Sequence, residues 1–190
     1  MKILHITDIH GNIEIMKEAL KYDSELVAIS GDLVERKKDI KTIKEWLKNF
    51  KVPVIISSGN HDTAIDNGNW LYDLEGDNIF VHKKLEINGI KIDSKPFLSD
   101  EFDYDCDILV YHVPPNKTFT SMDRKFRDFG DEYLRALLEN DFNPKFVLCG
   151  HIHNPMRLKD KVNKSIIVNS CYKKMNCDII KLLKFERKKL

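Results

Sequence analysis

The sequence predicts an α/β protein, and three features of the chain support this class. In the N-terminal part, short apolar runs rich in β-branched residues alternate with segments of helical apolar spacing, which predicts parallel strands joined by helical crossovers. In the middle, hydrophobic alternation on both sides of Asn88-Gly89 predicts a β-hairpin. A length of 190 residues fits a single domain that spans residues 1–190.

The N-terminal half contains three predicted strands and two predicted helices. The strands are at residues 2–7, 25–30 and 52–57, and the helices are at about 12–22 and 39–50. Apolar residues recur at helical spacing in both helices and are therefore expected to face the core. These residues are Ile13, Met16 and Leu20 in the first helix and Ile40, Ile43, Trp46 and Leu47 in the second.

The C-terminal half contains the hairpin, further strands and one helix. The hairpin is predicted at 85–92, and the strands at 108–111, 145–149, 165–170 and 177–185, the last of which is expected to close the sheet. The helix is predicted at 131–140, with Leu134, Leu137 and Leu138 facing the core. Irregular stretches at about 60–78, 93–105 and 114–130 are long enough to be functional loops or to contain small elements.

We expect a soluble, cytoplasmic protein, because the sequence shows no pattern of a secreted or membrane-spanning chain. Lys+Arg 31 and Asp+Glu 30 nearly cancel, so the net charge of +1 gives no general attraction to nucleic acid or to anionic membranes. The chain has neither a signal-peptide pattern nor the roughly 18 consecutive apolar residues of a membrane span. The cysteines form no C-x-x-C pair, and we expect all of them to be small buried residues. They are Cys106, Cys149, Cys171 and Cys177. The sequence carries no indication of the oligomeric state.

Residues that commonly bind metals follow five of the predicted strands. In chain order they are Asp8 and His10, then Asp32, then Asn60 and His61, then His112, and finally His151 and His153. Because ligands of open α/β sheets bind beyond the carboxyl ends of the strands, we expect these side chains to converge at one edge. Any one of them alone could be a turn or core residue. Five strand ends with the same chemistry favour a metal site.

The donor types restrict the metal and suggest a reaction. Oxygen and imidazole ligands without cysteine suit divalent manganese, iron, nickel or zinc better than a structural zinc, and we expect manganese first among these. A carboxylate can bridge two ions. Two ions about 3.5–4 Å apart can hold a nucleophilic hydroxide and neutralise a phosphoryl group. The residues therefore predict a two-metal phosphoesterase.

The order of these motifs resembles that of the calcineurin-like metallophosphoesterases. The matching motifs span nearly the whole chain and are Asp8-x-His10, Gly31-Asp32, Gly59-Asn60-His61-Asp62, His112 and Gly150-His151-x-His153. Together with residues 111–115 and 167–170, the last motif is most similar to the small Icc-related phosphoesterases of prokaryotes. The resemblance implies a sandwich of two mixed parallel and antiparallel sheets flanked by helices.

The resemblance also implies a role for each residue. One ion would be held by Asp8, His10 and His153, and the other by Asn60, His112 and His151. Asp32 would bridge the two ions. His61 would bind no metal and would face the leaving group, where an imidazolium can act as a general acid. Its neighbour Asp62, or Asp8, is a candidate for orienting the His61 ring.

We expect hydrolysis of a phosphodiester of a small molecule or nucleotide, and two other functions compete with it. One is a nuclease of the same superfamily, for which the chain has no strong nucleic-acid signature. The other is a scaffold without activity, which the presence of both Asn60 and His61 argues against. The segment after Asp32 differs at Glu35 and Lys37 from the Gly-Asp-x-x-Asp-Arg-Gly motif of Ser/Thr protein phosphatases. Phosphoprotein is therefore a disfavoured substrate.

Overall fold

A computed structural model describes residues 1–171 and 180–184, and its centre is a pair of β-sheets. The first sheet has five strands in the order β11-β1-β2-β3-β4. All neighbours in it are parallel except β11, which is antiparallel to β1. The strand bounds are β1 Lys2–Ile6, β2 Leu26–Ser30, β3 Val54–Ser57, β4 Ile79–Val81 and β11 Ile180–Lys184.

The second sheet has six strands in the order β5-β6-β7-β8-β10-β9. Its four central strands are parallel, whereas the edge strands β5 and β9 are antiparallel to their neighbours. The bounds are β5 Lys84–Ile87, β6 Ile90–Ser94, β7 Ile108–Val110, β8 Phe146–Cys149, β9 Lys159–Val162 and β10 Ser165–Asn169. The predicted two-sheet α/β architecture is thus confirmed.

Helices cover the outer faces of both sheets. The α-helices are α1 Ile13–Ala19, α2 Ile40–Leu47, α3 Asn60–Thr63 and α4 Glu132–Glu139, and 3₁₀ turns lie at Lys37–Asp39 and Asp66–Leu74. The side chain of Asn12 accepts backbone N–H bonds at the start of α1, and Asp131 does the same for α4, which fixes where both helices begin. Within the described residues, no helix is long and apolar enough to cross a membrane.

Three apolar clusters hold the layers together, because strand residues alternate between the two faces of a sheet. In β1, Ile3 points to the cluster between the sheets, while Leu4 and Ile6 point to the cluster beneath α1 and α2. The third cluster lies between the second sheet and α4, where Leu134 and Leu138 are fully buried. Because the strands are packed on both faces, the sheets are rigid, and the carboxyl ends of the strands are held in fixed positions.

The predicted hairpin is confirmed together with its turn. Ile87 pairs with Ile90, and the two residues between them have positive φ angles of 52° at Asn88 and 72° at Gly89. Asn and Gly adopt this left-handed region at low cost, which is why this pair closes two-residue hairpins. The predicted parallel strands of the N-terminal half are also confirmed.

Several details differ from the sequence predictions. Ile13 is 53 % exposed and Leu20 is 42 % exposed, because α1 instead buries the face formed by Ile15, Met16 and Ala19. Leu137 packs against the third cluster, as predicted, but is only partly buried. Strands β4 and β9 were not predicted, since each has only three or four residues and one of the two is largely polar.

The predicted last strand, at 177–185, lies partly outside the described residues. Its central part forms β11, and the rest is outside them. Cys106, Cys149 and Cys171 are buried free thiols, as expected, whereas Cys177 also lies outside the described residues.

Candidate metal centre

The carboxyl ends of five strands meet at one rim that is shared by the two sheets. Strands β1, β2 and β3 come from the first sheet, and β7 and β8 come from the second. The residues that follow them are the eight predicted site residues, and contacts among their side chains, including one of 3.8 Å between His10 and Asp32, link all of them in one cluster. The rim contains two donor groups that share one residue.

The first donor group consists of Asp8, His10, Asp32 and His153, whose ligand atoms lie within 4.8 Å of one another. The Nε2 atoms of His10 and His153 are 3.1 Å apart. Oδ1 of Asp8 is 3.1 Å from Nε2 of His153 and 3.9 Å from Nε2 of His10. Four potential ligand atoms therefore surround one point.

The second donor group consists of Asp32, Asn60, His112 and His151. Oδ1 of Asn60 is 3.1 Å from Nε2 of His112 and 3.0 Å from Nδ1 of His151. Oδ2 of Asp32 lies 3.4 Å from Nε2 of His112 and 3.8 Å from Nε2 of His10. Asp32 is thus in contact with both groups, at the position expected of a bridging ligand.

The backbone is bent into uncommon conformations to achieve this convergence. Asp8, His10, Asp32 and His151 all have positive φ angles, of 52°, 47°, 54° and 67°. Such angles are uncommon for residues other than glycine and concentrate at functional sites, where surrounding structure holds them. Here the backbone N–H groups of Asp8 and His10 donate to the carbonyls of Gly31 and Asp32, which ties the first two ligand turns together.

Two glycines allow the ligand turns to approach each other closely. A methyl group at Gly59 would lie 2.1 Å from Oδ1 of Asp32. A methyl group at Gly150 would lie 1.9 Å from Oγ1 of Thr7 and 2.2 Å from Oδ2 of Asp8. No side chain fits at either position without moving a predicted ligand.

Neighbouring groups orient the ligands. Oδ2 of Asp8 accepts hydrogen bonds from the Thr7 hydroxyl at 2.6 Å and from the His151 backbone N–H at 3.1 Å, so the other oxygen, Oδ1, is turned toward the first donor group. Nδ1 of His112 is 2.7 Å from the carbonyl of Ser30. Because a carbonyl can only accept, Nδ1 carries the proton of the neutral ring, and Nε2 is the nitrogen that would bind a metal in place of its own proton.

The electrostatics favour a cation at the rim. Burial alone would raise the pKa of Asp8 and Asp32, but the adjacent His153 and His112 side chains hold both below the usual range, so both are ionised. Burial lowers the pKa of His10 and takes that of His151 to about 4, which leaves both neutral, the form that binds metals. Burial would also lower the pKa of His112, but Asp32 raises it to about 9, a sign of strong negative potential.

These residues fit a pair of divalent ions. Two nitrogens that each lie about 2.1 Å from one ion are roughly 3.0–3.4 Å apart at octahedral or tetrahedral angles. The separation of 3.1 Å between the His10 and His153 nitrogens falls in that range. The buried Oδ1 of Asp8 accepts no hydrogen bond from any described residue, which is costly unless another partner, such as a cation, is bound there.

Comparison with known proteins agrees with this geometry. The model of the calcineurin-like phosphoesterase family matches residues 1–155. The chain belongs to this family. It is therefore a metal-dependent hydrolase of phosphoesters, and the resemblance on which the prediction rested is confirmed. The scaffold alternative is not supported.

Relatives of this phosphoesterase cover most of its length. The uncharacterized protein MJ1162 of Methanocaldococcus jannaschii is 31 % identical in an alignment 195 residues long with gaps, and the alignment covers 89 % of this chain and 87 % of that protein. A Fibrobacter succinogenes protein named "Probable cyclic nucleotide phosphodiesterase" is 27 % identical in an alignment 197 residues long with gaps, which covers 85 % of this chain and 77 % of that protein. The crystal structure of TT1561 of Thermus thermophilus has the same fold, with a TM-score of 0.67 at 15 % identity, covering 89 % and 88 % of the two chains.

His61 lies at the edge of the phosphoesterase centre, beside the first donor group. Its ring is 4.7 Å from that of His10, and its backbone N–H donates to Oδ1 of Asp32 at 2.9 Å. Glu35 was not predicted as a site residue, yet its Oε2 is 2.8 Å from Nδ1 of His10 and 3.3 Å from Nδ1 of His61. The only sequence signal was its position three residues after Asp32.

The suggestion that Asp62 orients the His61 ring is wrong. Asp62 is fully buried, and its carboxylate accepts backbone N–H groups of Gly59 and Leu33 at 2.9 Å each. Burial and the charge of Asp32 raise its pKa to about 7. Asp62 therefore fixes the backbone between β3 and α3, and Glu35 is the carboxylate that reaches the imidazole.

The side chains of the centre differ in their exposure to solvent. The side chains of Asp8 and His112 are inaccessible, whereas those of His61, His153 and Glu35 are 37 %, 38 % and 49 % exposed. A separate groove of about 720 Å³ lies between α2 and the 3₁₀ turn at Asp66–Leu74, and no predicted site residue lines it. A substrate phosphate thus has access from the His61 side of the rim.

Proposed function

We propose that this phosphoesterase hydrolyses a phosphodiester of a small molecule or nucleotide with two divalent ions at the rim. Asp8, His10 and His153 would hold one ion, Asn60, His112 and His151 would hold the other, and Asp32 would serve both. The observation that carries the proposal is the position of Asp32 Oδ2, 3.8 Å from His10 Nε2 and 3.4 Å from His112 Nε2. A pair of bound ions supplies a nucleophile at neutral pH and charge neutralisation for the phosphoryl group.

Within this proposal His61 is the general acid. Oε2 of Glu35 lies 3.3 Å from its Nδ1, so the Nδ1–H can donate to that carboxylate, which leaves Nε2 as the nitrogen that can donate to the substrate. Nε2–H then gives its proton to the oxygen of the departing alcohol as the ester bond breaks. General acid catalysis of this kind contributes about 10²- to 10⁴-fold to the rate.

A diester is the favoured substrate for two reasons. A diester phosphate carries one negative charge and one leaving group, which a pair of cations and one acid can serve. The name of the Fibrobacter relative refers to a cyclic nucleotide, which is itself a phosphodiester. We further propose manganese as the resident metal, because oxygen and imidazole donors suit it, and the cytoplasm as the location, on the composition alone.

The experiment that tests the acid role compares His61→Ala with the wild type on aryl and alkyl phosphodiesters, with the metal content measured in each sample. We expect both ions to remain bound and kcat to fall by about 10²- to 10⁴-fold on the alkyl ester. The loss should be smaller on bis(p-nitrophenyl) phosphate, whose leaving group needs no proton. Loss of metals with normal turnover per remaining metal pair would falsify the acid role and assign His61 to the ligand set.

A substrate panel tests the rest of the proposal. Wild-type enzyme loaded with Mn²⁺ is incubated with cyclic nucleotides, aryl diesters, phosphomonoesters, a phosphoprotein and single-stranded DNA. We expect the small diesters to be the best substrates. Robust phosphoprotein turnover without diester activity would overturn the proposal, and degradation of single-stranded DNA in preference to small diesters would favour the nuclease.

A further inference from the structure

A short segment after β6 lies against the second donor group, although it contains no metal-ligand residue. Strand β6 runs parallel to β7, so its carboxyl end reaches the same rim. The ring of Phe97 there lies 6.0 Å from the ring of His112 and 6.5 Å from the ring of His151. An aromatic side chain thus flanks the two histidines that would hold the second ion.

The backbone of this segment is fixed by the strands that carry the metal centre. The N–H of Lys95 donates to the carbonyl of Val110 at 3.2 Å, and the hydroxyl of Ser57 donates to the carbonyl of Lys95 at 2.6 Å. The N–H of Phe97 donates to Oγ of Ser58 at 2.9 Å. Since Ser57 and Ser58 lead directly into the Asn60 turn, the position of Phe97 is coupled to that of the second donor group.

The next residue is a large apolar side chain that the fold leaves in water. Leu98 is 66 % exposed and has a φ of 55°, a left-handed conformation that glycine or asparagine would adopt at lower cost. Phe97 is itself only partly buried. An exposed leucine held in a strained conformation contributes little to folding, and such outliers concentrate at ligand-binding positions.

We propose that Phe97 and Leu98 form an apolar subsite that binds a nucleobase or another flat aromatic ring of the substrate. The subsite lies at the second donor group, whereas His61 lies beside His10 of the first. The ring it binds therefore belongs to the ester group that stays on phosphorus, not to the leaving group at His61. This inference rests on the proposed phosphodiester activity and names the substrate class as nucleotide diesters.

The test uses two esters that share a leaving group and differ only in the retained group. They are thymidine 5′-(p-nitrophenyl) phosphate and methyl p-nitrophenyl phosphate. Stacking of a base on an aromatic side chain corresponds to roughly 5- to 150-fold in kcat/KM on alanine substitution. We expect Phe97→Ala to lose this much on the thymidine ester and less than about threefold on the methyl ester. Leu98→Ala should also lower kcat/KM on the thymidine ester relative to the methyl ester, but by a smaller factor.

Control variants separate binding from structure. Phe97→Tyr keeps the ring and should keep the preference for the thymidine ester. Tyr22→Ala removes a partly exposed aromatic side chain just beyond α1, outside the metal centre, and should change neither rate. If Phe97→Ala loses metal and slows both esters equally, the ring only supports the donor group. If neither ester is affected, the ring does not contact substrate. Either result overturns the subsite.

Binding measurements keep this inference distinguishable from the proposed function. Thymidine 5′-phosphate and methyl phosphate are titrated into Mn²⁺-loaded wild type and Phe97→Ala, which requires no turnover. The subsite predicts that the variant loses affinity for thymidine 5′-phosphate only. An enzyme that cleaves neither ester but shows this pattern contradicts the proposed diesterase activity and supports the subsite. Equal affinities of wild type and variant for thymidine 5′-phosphate contradict the subsite, whatever the activity.

Discussion

Replacing Gly59 with alanine should disrupt the metal centre through a single added methyl group. The φ of Gly59 is −107°, which alanine tolerates, so the effect has to come from contacts and not from backbone strain. The methyl carbon would lie 2.1 Å from Oδ1 and 2.6 Å from the backbone nitrogen of Asp32. Ordinary contacts of a methyl carbon begin at 3.4 Å, so these distances are about 1.3 and 0.8 Å too short, and a backbone nitrogen cannot rotate away.

The expected magnitude follows from that overlap. Asp32 has to shift by about 1 Å, which in an active site can cost about 10²-fold in rate, and overpacking of this kind destabilises by about 1–3 kcal/mol. The assay is kcat/KM on bis(p-nitrophenyl) phosphate, with metal content and urea unfolding measured on the same samples. Gly76→Ala is the matched control, because no atom lies within 4 Å of the added methyl group, and it should change stability by less than about 0.5 kcal/mol. A Gly59→Ala enzyme with wild-type metal content and turnover would refute the reasoning.

Three further predictions concern residues around the ligands. Glu35→Gln should lower kcat about 10- to 100-fold but add little to His61→Ala, because the two residues act together; full additivity in the double variant would contradict this. Asn169→Ala should cost about 1–3 kcal/mol in urea unfolding of the metal-free protein, since its buried amide holds the carbonyls of the turn after β8; an unchanged midpoint would argue against that role.

The third of these predictions concerns pH. Burial lowers the pKa of His82 to about 4, so the unfolded chain takes up its proton first as the pH falls. The contribution of neutral His82 to the free energy of unfolding is therefore fully present above about pH 6.5. It declines toward pH 4, by as much as about 3 kcal/mol in total. In His82→Asn the free energy of unfolding should vary less over the same pH range. Identical pH profiles for the two proteins would exclude His82 as the source.

The sequence predicts those parts of the fold that are set by local pattern. Period-2 and period-3.6 spacing locate the central strands and α2, and Asn88-Gly89 fixes the hairpin. The strand-edge rule explains why Asp8 and His151, 143 positions apart in the chain, come into contact through a carboxylate and a backbone N–H. For α1 the sequence predicts the wrong buried face. Ile13 and Leu20, at the ends of the helix, also occur at helical spacing, although the fold leaves both exposed.

The missed features depend on tertiary contacts. Glu35 lies in the turn after β2, and His61 lies in the turn after β3. The residues around Glu35 in the sequence do not indicate that the two side chains meet. Phe97 lies in an irregular stretch, and its contact with His112 depends on the parallel pairing of β6 with β7. Loop conformation is set by hydrogen bonds such as those of Ser57 and Ser58 to residues about forty positions away, which no local pattern encodes.

The two-metal arrangement is tested most directly by a crystal structure of the Mn²⁺-loaded protein with anomalous data, paired with elemental analysis of Asp32→Asn. We predict two anomalous peaks about 3.5–4 Å apart, one beside His10 and His153, the other beside His112 and His151, with Asp32 in contact with both. Asp32→Asn should lower the content of both ions, and should do so more than substitution of any ligand that serves one ion. A single peak that does not contact Asp32, with unchanged metal content in Asp32→Asn, would contradict the arrangement.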